Sequence, residues 1–546
     1  MNNPTSLRTR YLASTFVANR RLSIQLKILR SRGVSLALLA ILFSMAIQPF
    51  ASAQQKPPQQ QPEKPFIEPA EMKHMMAVQA AVEPQPALRG MWTTLSFLMP
   101  INPVHVALMH NGKVLVVSGS GNDPNNQRFE AGVWNPLEET VRTFRIDWDM
   151  FCNGMVILPD GRPFVLGGTL KYDDFLGQLL TAAFDPVTEK FVNMPKMNGG
   201  RWYPTGTVLG NGSVLVDSGL TDTSSTVNTT VQIWDGVRWN DGGTIFPGVP
   251  LYPRQNLLPS GKVFESGANR NSKMYDPATH LWSDVATTNF PANRDYGTSV
   301  LLPLTRANGY KPRVMILGGV SPNATDTTEL IDLSASQPAW IFGPKMVRPR
   351  IQLNATILPS GKVLVSGGSA NDENGGTASL EAELYDPDAN SFSSASTMEF
   401  PRLYHSNTLL LPDATVMAVG GNPQRTVYEP HIEIYSPSYL FNADGSRARR
   451  PVITAIGHGV IGYSAGFTIN TPDAASIKTV VMIRAGAVTH AFDMEQRLVG
   501  LAFTAGKGSL YATAPANGNI APPGYYMVFI LNSEGVPSVA SWVRLK

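Results

Sequence analysis

From Met91 onward the chain alternates short apolar runs with tight turns, and no helical period is sustained anywhere in it. The recurring unit is an apolar strand, a turn on Asn-Gly, Asp-Gly or Ser-Gly, and a second apolar strand ending in glycine. The first four turns are Asn111-Gly112, Asp160-Gly161, Asn211-Gly212 and Ser260-Gly261, with second strands running to Gly119, Gly167-Gly168, Gly219 and Gly267. The pattern returns at Leu302-Pro303 to Gly318-Gly319, Ser360-Gly361 to Gly367-Gly368, and Leu411-Pro412-Asp413 to Gly420-Gly421. Glycine supplies the positive φ that such two-residue hairpins require. Most units continue into an aromatic-rich strand pair with its own turn, as in Tyr275-Asp276-Pro277 to Trp282 and Tyr385-Asp386-Pro387 to Phe392.

The period is about 50 residues, the spacing of kelch repeats with four strands per blade. The pattern therefore predicts an all-β chain: a seven-bladed kelch-type β-propeller over 89–449, followed by a C-terminal immunoglobulin-like β-sandwich over 450–546. A strand at Trp92-Thr93-Thr94-Leu95-Ser96-Phe97 precedes the first unit, and the last unit lacks an outer strand. The two are expected to pair and close the ring, so that no sheet edge stays open. After Arg450 short strands with Gly/Pro turns suffice for one sandwich.

Composition changes this picture mainly at the N-terminus. Arg8, Arg10, Arg20, Arg21, Lys27, Arg30 and Arg32 precede an apolar run from Val34 to Ile47 and the small residues Ala51-Ser52-Ala53. Residues 1–53 read as an export signal, cleaved after the small residues. The run is short for a bilayer span, so the mature form is expected to have no membrane segment. The formal charge is +3, and those seven leader cations, with no acid before Ala53, leave −4 on the remainder; nothing points to nucleic acid. Residues 54–88 are a Gln/Pro-rich linker. The chain has one cysteine, so an exported protein would carry a thiol with no internal partner, which calls for an explanation.

A count supplies one. Seven residues before the Pro of each Leu-Pro turn stand Cys152, Tyr252, Tyr296, Gln352 and His405, and the Leu209-Gly210 turn gives Tyr203. Equivalent repeat positions lie at one height round a propeller axis. The lone cysteine, three tyrosines and a histidine, with Tyr404 beside His405, are therefore expected to line one mouth. Such residues can simply plug the axis through hydrogen bonds. Phenols and imidazoles together also form a mixed N/O set suited to Cu(II) rather than to zinc.

At this level the chain resembles the copper radical oxidases, the galactose oxidase and glyoxal oxidase family. The resemblance runs from about Met91 to Lys546. It rests on Asp149-Met150-Phe151-Cys152, Arg201-Trp202-Tyr203-Pro204, Arg402-Leu403-Tyr404-His405-Ser406, Val488-Thr489-His490 and Pro523-Gly524-Tyr525-Tyr526-Met527. It implies that Tyr203, Tyr404, His405 and His490 ligate one copper ion, and that Tyr203 is a thioether-linked tyrosyl radical bonded to Cys152. It further implies that Tyr404 takes the substrate's hydroxyl proton, and that His490 arrives on a loop of the C-terminal domain. Tyr296 and Thr221 are assigned supporting places. Thr221 stands where galactose oxidase stacks a tryptophan, and Pro253 where it has a sugar-binding arginine, so the mouth is expected to lack a stacking wall and a hydrogen-bonding fork.

The expectation is thus a secreted, monomeric oxidase taking a small aldehyde or primary alcohol and O2 and releasing H2O2. The alternatives are a galactose-oxidase-type sugar alcohol oxidase and a non-catalytic kelch adhesion or matrix protein.

Overall fold

The computed structural model describes residues 64–65 and 85–546. The export segment 1–53 and most of the 54–88 linker lie outside the described residues. Among the described residues, seven antiparallel sheets follow one another, one per repeat. We number them blades 1 to 7 by their first strands: His105–Leu108, Gly154–Ile157, Trp202–Val208, Gln255–Leu257, Thr298–Leu301, Ile351–Ile357 and Asn407–Leu410. These first strands neighbour one another round the ring, and that of blade 7 meets that of blade 1. The first two strands of each blade are almost wholly buried, because neighbouring blades cover both faces. An outer strand such as Thr140–Arg145 is covered on one side and leaves Thr, Arg and Lys types in water.

Closure follows the sequence expectation. Met91–Leu98 pairs antiparallel with His431–Ser436 and supplies the outer strand of blade 7. Trp92 anchors it, with its indole N–H on Ser396 O (3.0 Å) and its ring 5.0 Å from that of Tyr435. Trp92→Ala should therefore cost about 2 kcal/mol, less than for a fully buried tryptophan, and lower Tm by a few degrees in a thermal melt.

Buried arginines fix the approach to the axis. Arg294, Arg350 and Arg402 each pair with a buried glutamate of the same blade, Glu329, Glu383 and Glu433 respectively, at 2.8 to 3.1 Å. Each also donates to a glycine carbonyl at the end of a second strand: Gly318, Gly367 and Gly420. Paired with carboxylates and hydrogen-bonded to main-chain carbonyls, the charges are tolerated inside, and removing one partner would leave a buried ion.

The C-terminal residues form two packed sheets. One carries Gly466–Asn470 and Ser509–Thr513, the other Ile477–Arg484, Gly524–Asn532 and Ser541–Leu545. Phe467, Ile469, Met482, Leu510, Val528 and Val543 fill the space between them. From this sandwich a hairpin, Ala487–Thr489 and Phe492–Asp493, reaches back and adds to blade 1, with Thr489 opposite His105. Arg484 donates to Ile157 O (2.8 Å), while Gln496 bonds both Ile357 N (3.0 Å) and Ala355 O (2.8 Å). The hairpin is thereby pinned to blades 1, 2 and 6. No helix among the described residues is long and apolar enough to cross a membrane.

Candidate metal centre

The six counted residues share one backbone conformation. Cys152, Tyr203, Tyr252, Tyr296, Gln352 and His405 all have φ between 47° and 66°. Left-handed backbone is uncommon for non-glycine residues and costs on the order of 1 kcal/mol or more at each position. A chain of main-chain hydrogen bonds holds it: Tyr203 N to Cys152 O (3.0 Å), Tyr252 N to Tyr203 O (3.0 Å), and Gln352 N to Tyr296 O (2.7 Å). The bend turns each side chain from its strand into the mouth of the axis.

The seventh position is different. The same count in blade 1, taken from His110 where five blades have proline and one has glycine, lands on Pro103. Proline cannot adopt positive φ. Here the hairpin from the sandwich comes in, and His490 (φ 48°) takes the vacant place beside Cys152 and Tyr203.

The chemistry converges at this point. Donor atoms of Cys152, His405 and His490 all lie within 4.8 Å of one another. His490 Nε2 is 3.0 Å from Tyr203 Oη and 3.9 Å from Cys152 Sγ. The Tyr203 and Tyr404 hydroxyls are in short contact, and the Cys152 thiol hydrogen-bonds the Tyr203 phenol. Thr489 Oγ1 donates to Val104 O (3.0 Å) and so accepts from His490 Nδ1–H (2.6 Å). That contact fixes the tautomer and leaves the Nε2 lone pair facing the cluster.

Burial sets the protonation states. The Tyr203 phenol is pushed well above its usual range by desolvation and then by Cys152 and Tyr404. Tyr404 is raised by desolvation and then by Tyr296 and Cys152. His490 is held neutral by desolvation and then by His405 and His105. Two phenols that resist ionisation and a neutral imidazole aimed at them form a set that a divalent cation would compensate, since its charge stabilises phenolate. The donors present therefore fit a copper ion, and the Cys-His-His cluster is consistent with a copper site.

Other expected residues are placed as follows. Tyr296 stands edge-on to Tyr404, ring centroids 5.8 Å apart, and lines a cavity of about 10 Å³ with Gln352, Tyr404, His405 and His490. The Thr221 hydroxyl donates to Ser224 O (2.7 Å) in a local turn, and its carbonyl accepts from Gly177 N (2.7 Å). A serine- and threonine-rich run favours such self-capping turns.

Ring stacking on Tyr203 comes from its neighbours. Trp202 lies flat on Tyr203, at 3.8 Å and 8° between planes, and Tyr252 covers the opposite face at 4.5 Å. Trp202 is fully buried, so it stacks from within the protein. Tyr252 is locked by its hydroxyl on Asn153 O (2.6 Å). His105 is fully buried, with its ring 6.0 Å from that of His490.

Comparison with known proteins agrees with this geometry. Residues 129–439 match the family model described as glyoxal oxidase N-terminus, and residues 450–545 match the galactose oxidase-like early set domain. The chain is 27% identical to an aldehyde oxidase of Vitis pseudoreticulata, over 86% of this chain and 100% of that protein. It is 26% identical to a galactose oxidase of Gibberella zeae, over 85% of this chain and 71% of that protein. Among solved structures it is similar to a fungal alcohol oxidase in complex with copper, with a TM-score of 0.74 and 25% identity over 84% of this chain and 99% of that one.

Proposed function

The chain belongs to the copper radical oxidase family of the glyoxal and galactose oxidases, and from that premise we propose that it oxidises small aldehydes, taken as hydrates, or primary alcohols. For an aldehyde hydrate the balance is RCH(OH)2 + O2 → RCOOH + H2O2. In this reading Tyr203, Tyr404, His405 and His490 hold one copper ion, which when bound supplies a one-electron couple and an open position for substrate. Tyr203, joined through a ring carbon to Cys152 sulfur, would supply the second one-electron couple, because a thioether ortho to the phenol oxygen eases its oxidation. Trp202 and Tyr252 shield both faces of that ring from water. Tyr404 takes the substrate's hydroxyl proton. The protein is read as exported and monomeric.

The observation that carries the aldehyde reading is the lining of the mouth. The cavity beside Tyr404 and His405 is lined by Tyr296, Gln352, Leu403, His490 and Ala491, with no arginine or lysine among them. Pro253 offers no side-chain donor. Arg254, one residue on, is buried, with its guanidinium on Arg294 O (3.1 Å). Discrimination in favour of a polyhydroxylated ring needs buried donors matched to its hydroxyls. Copper-loaded protein should release peroxide faster with glyoxal, methylglyoxal or glycolaldehyde than with galactose. Faster turnover of galactose than of every small aldehyde would restore the sugar oxidase. Tyr404→Phe should lower kcat on the order of a hundredfold, the scale of a lost general base, while metal analysis still finds most of the copper.

A further inference from the structure

Around the mouth the charged side chains are unbalanced in one direction. Gln352, which lines the cavity, accepts from Tyr404 N (3.1 Å) through Oε1 and donates to Asp372 (3.3 Å) through Nε2. Glu373, next in the chain, is mostly buried and pairs with Arg425 at 3.0 Å, while the arginine side chain is 42% exposed. Asp295 immediately precedes the cavity-lining Tyr296. The Tyr296 hydroxyl feels Asp372, Glu373 and Asp295 as like charges and Arg425 as the opposing one, and the field of Glu373 also reaches the Tyr404 phenol. Three carboxylates thus stand beside the cavity, with Arg425 against Glu373 and the Arg254 guanidinium in the field of Asp295, so carboxylates outnumber cations by one, and buried walls extend the reach of each charge.

Resting on the oxidase reading above, we propose that Asp295, Asp372 and Glu373 make this mouth a charge filter: the substrates are uncharged aldehydes, and aldehydes bearing a carboxylate are turned away. The filter also acts on the reaction's outcome. Oxidation converts a neutral hydrate into a carboxylic acid that ionises at neutral pH, and the same carboxylates that pass the substrate repel the product. Arg425 limits the effect by neutralising Glu373.

Methylglyoxal and glyoxylate test this, since both are hydrated α-carbonyl aldehydes and differ chiefly in charge. At low ionic strength kcat/KM for methylglyoxal should exceed that for glyoxylate by about tenfold or more, and the ratio should shrink severalfold in 0.3 M salt, where the screening length is only about 6 Å. Glu373→Gln should shrink the low-salt ratio about threefold, and Arg425→Gln should widen it. Opposite signs from two partners of one ion pair separate charge from mere disturbance of the loop. Binding of azide to the copper-loaded protein, followed by its visible spectrum without turnover, should tighten in Glu373→Gln and weaken in Arg425→Gln. A ratio unmoved by Glu373→Gln, or two variants shifting it in the same direction, overturns the filter. If neither aldehyde is oxidised, the oxidase reading has failed, and azide affinity alone then decides the filter by the same signs.

Discussion

Cys152→Ala should reduce peroxide release about a hundredfold, equivalent to about 2.7 kcal/mol of transition-state stabilisation. The reasoning starts from position. Cys152 and Tyr203 occupy equivalent places in adjacent blades, joined by Tyr203 N on Cys152 O (3.0 Å), with the thiol against the phenol. In the proposed reaction, aerobic copper loading breaks the S–H bond and an ortho ring C–H bond, forms one S–C bond, and passes two electrons and two protons to O2. Intact mass should fall by about 2 Da, and the thiol should disappear from alkylation assays. Tyr203 should keep its stacked place in the variant, because Trp202 and Tyr252 hold both faces of its ring. Loss of activity with copper retained would then report the missing bond. Active protein in which Cys152 remains fully alkylatable would rule this chemistry out.

The second large effect is expected at His490. Copper should raise Tm of the wild type, and His490→Ala should lose most of that rise. A ligand present at a hundred times its Kd stabilises the state that binds it by about 2.7 kcal/mol, and a site lacking the neutral His490 imidazole, aimed at Tyr203 through Nε2, no longer reaches that ratio. The hairpin carrying His490 has other anchors, including the Thr489 hydroxyl on Val104 O and the Ala491 carbonyl held by Thr298. The metal-free variant should therefore melt close to metal-free wild type, so that the lost shift reads the metal and not the fold. An unchanged copper shift in the variant would place the metal elsewhere.

Where the sequence succeeded and where it did not has a physical pattern. The turn count found all six left-handed positions, five from Leu-Pro and one from Leu-Gly, because repeat register and backbone strain are both local properties. Closure by Met91–Leu98 was legible for a similar reason: one blade was short of a strand and one strand had no blade. The seventh position was hidden, because the count was anchored on proline or glycine and blade 1 carries His110 there. Trp202 was read within its motif, but which face of Tyr203 it covers depends on how a fully buried side chain packs. His105 looked ordinary because nothing local to it reveals that the hairpin of a distant domain passes alongside.

The hairpin on blade 1 also bears on assembly. His105–Leu108 has main-chain groups on its inner side that are met by Ala487–Thr489, including Leu108 N on Gly486 O (3.0 Å). In effect the sandwich is a donor strand for the propeller, delivered from the far end of the chain. A propeller made without it would hold an unpaired strand edge facing its own bore, with a proline at the station where a ligand belongs. Such a product should lack the His490 imidazole beside Cys152 and Tyr203 and with it one of the proposed copper donors. The two domains are then one folding unit, and expressing them as separate polypeptides should recover a functional centre only when both are present while the chain folds.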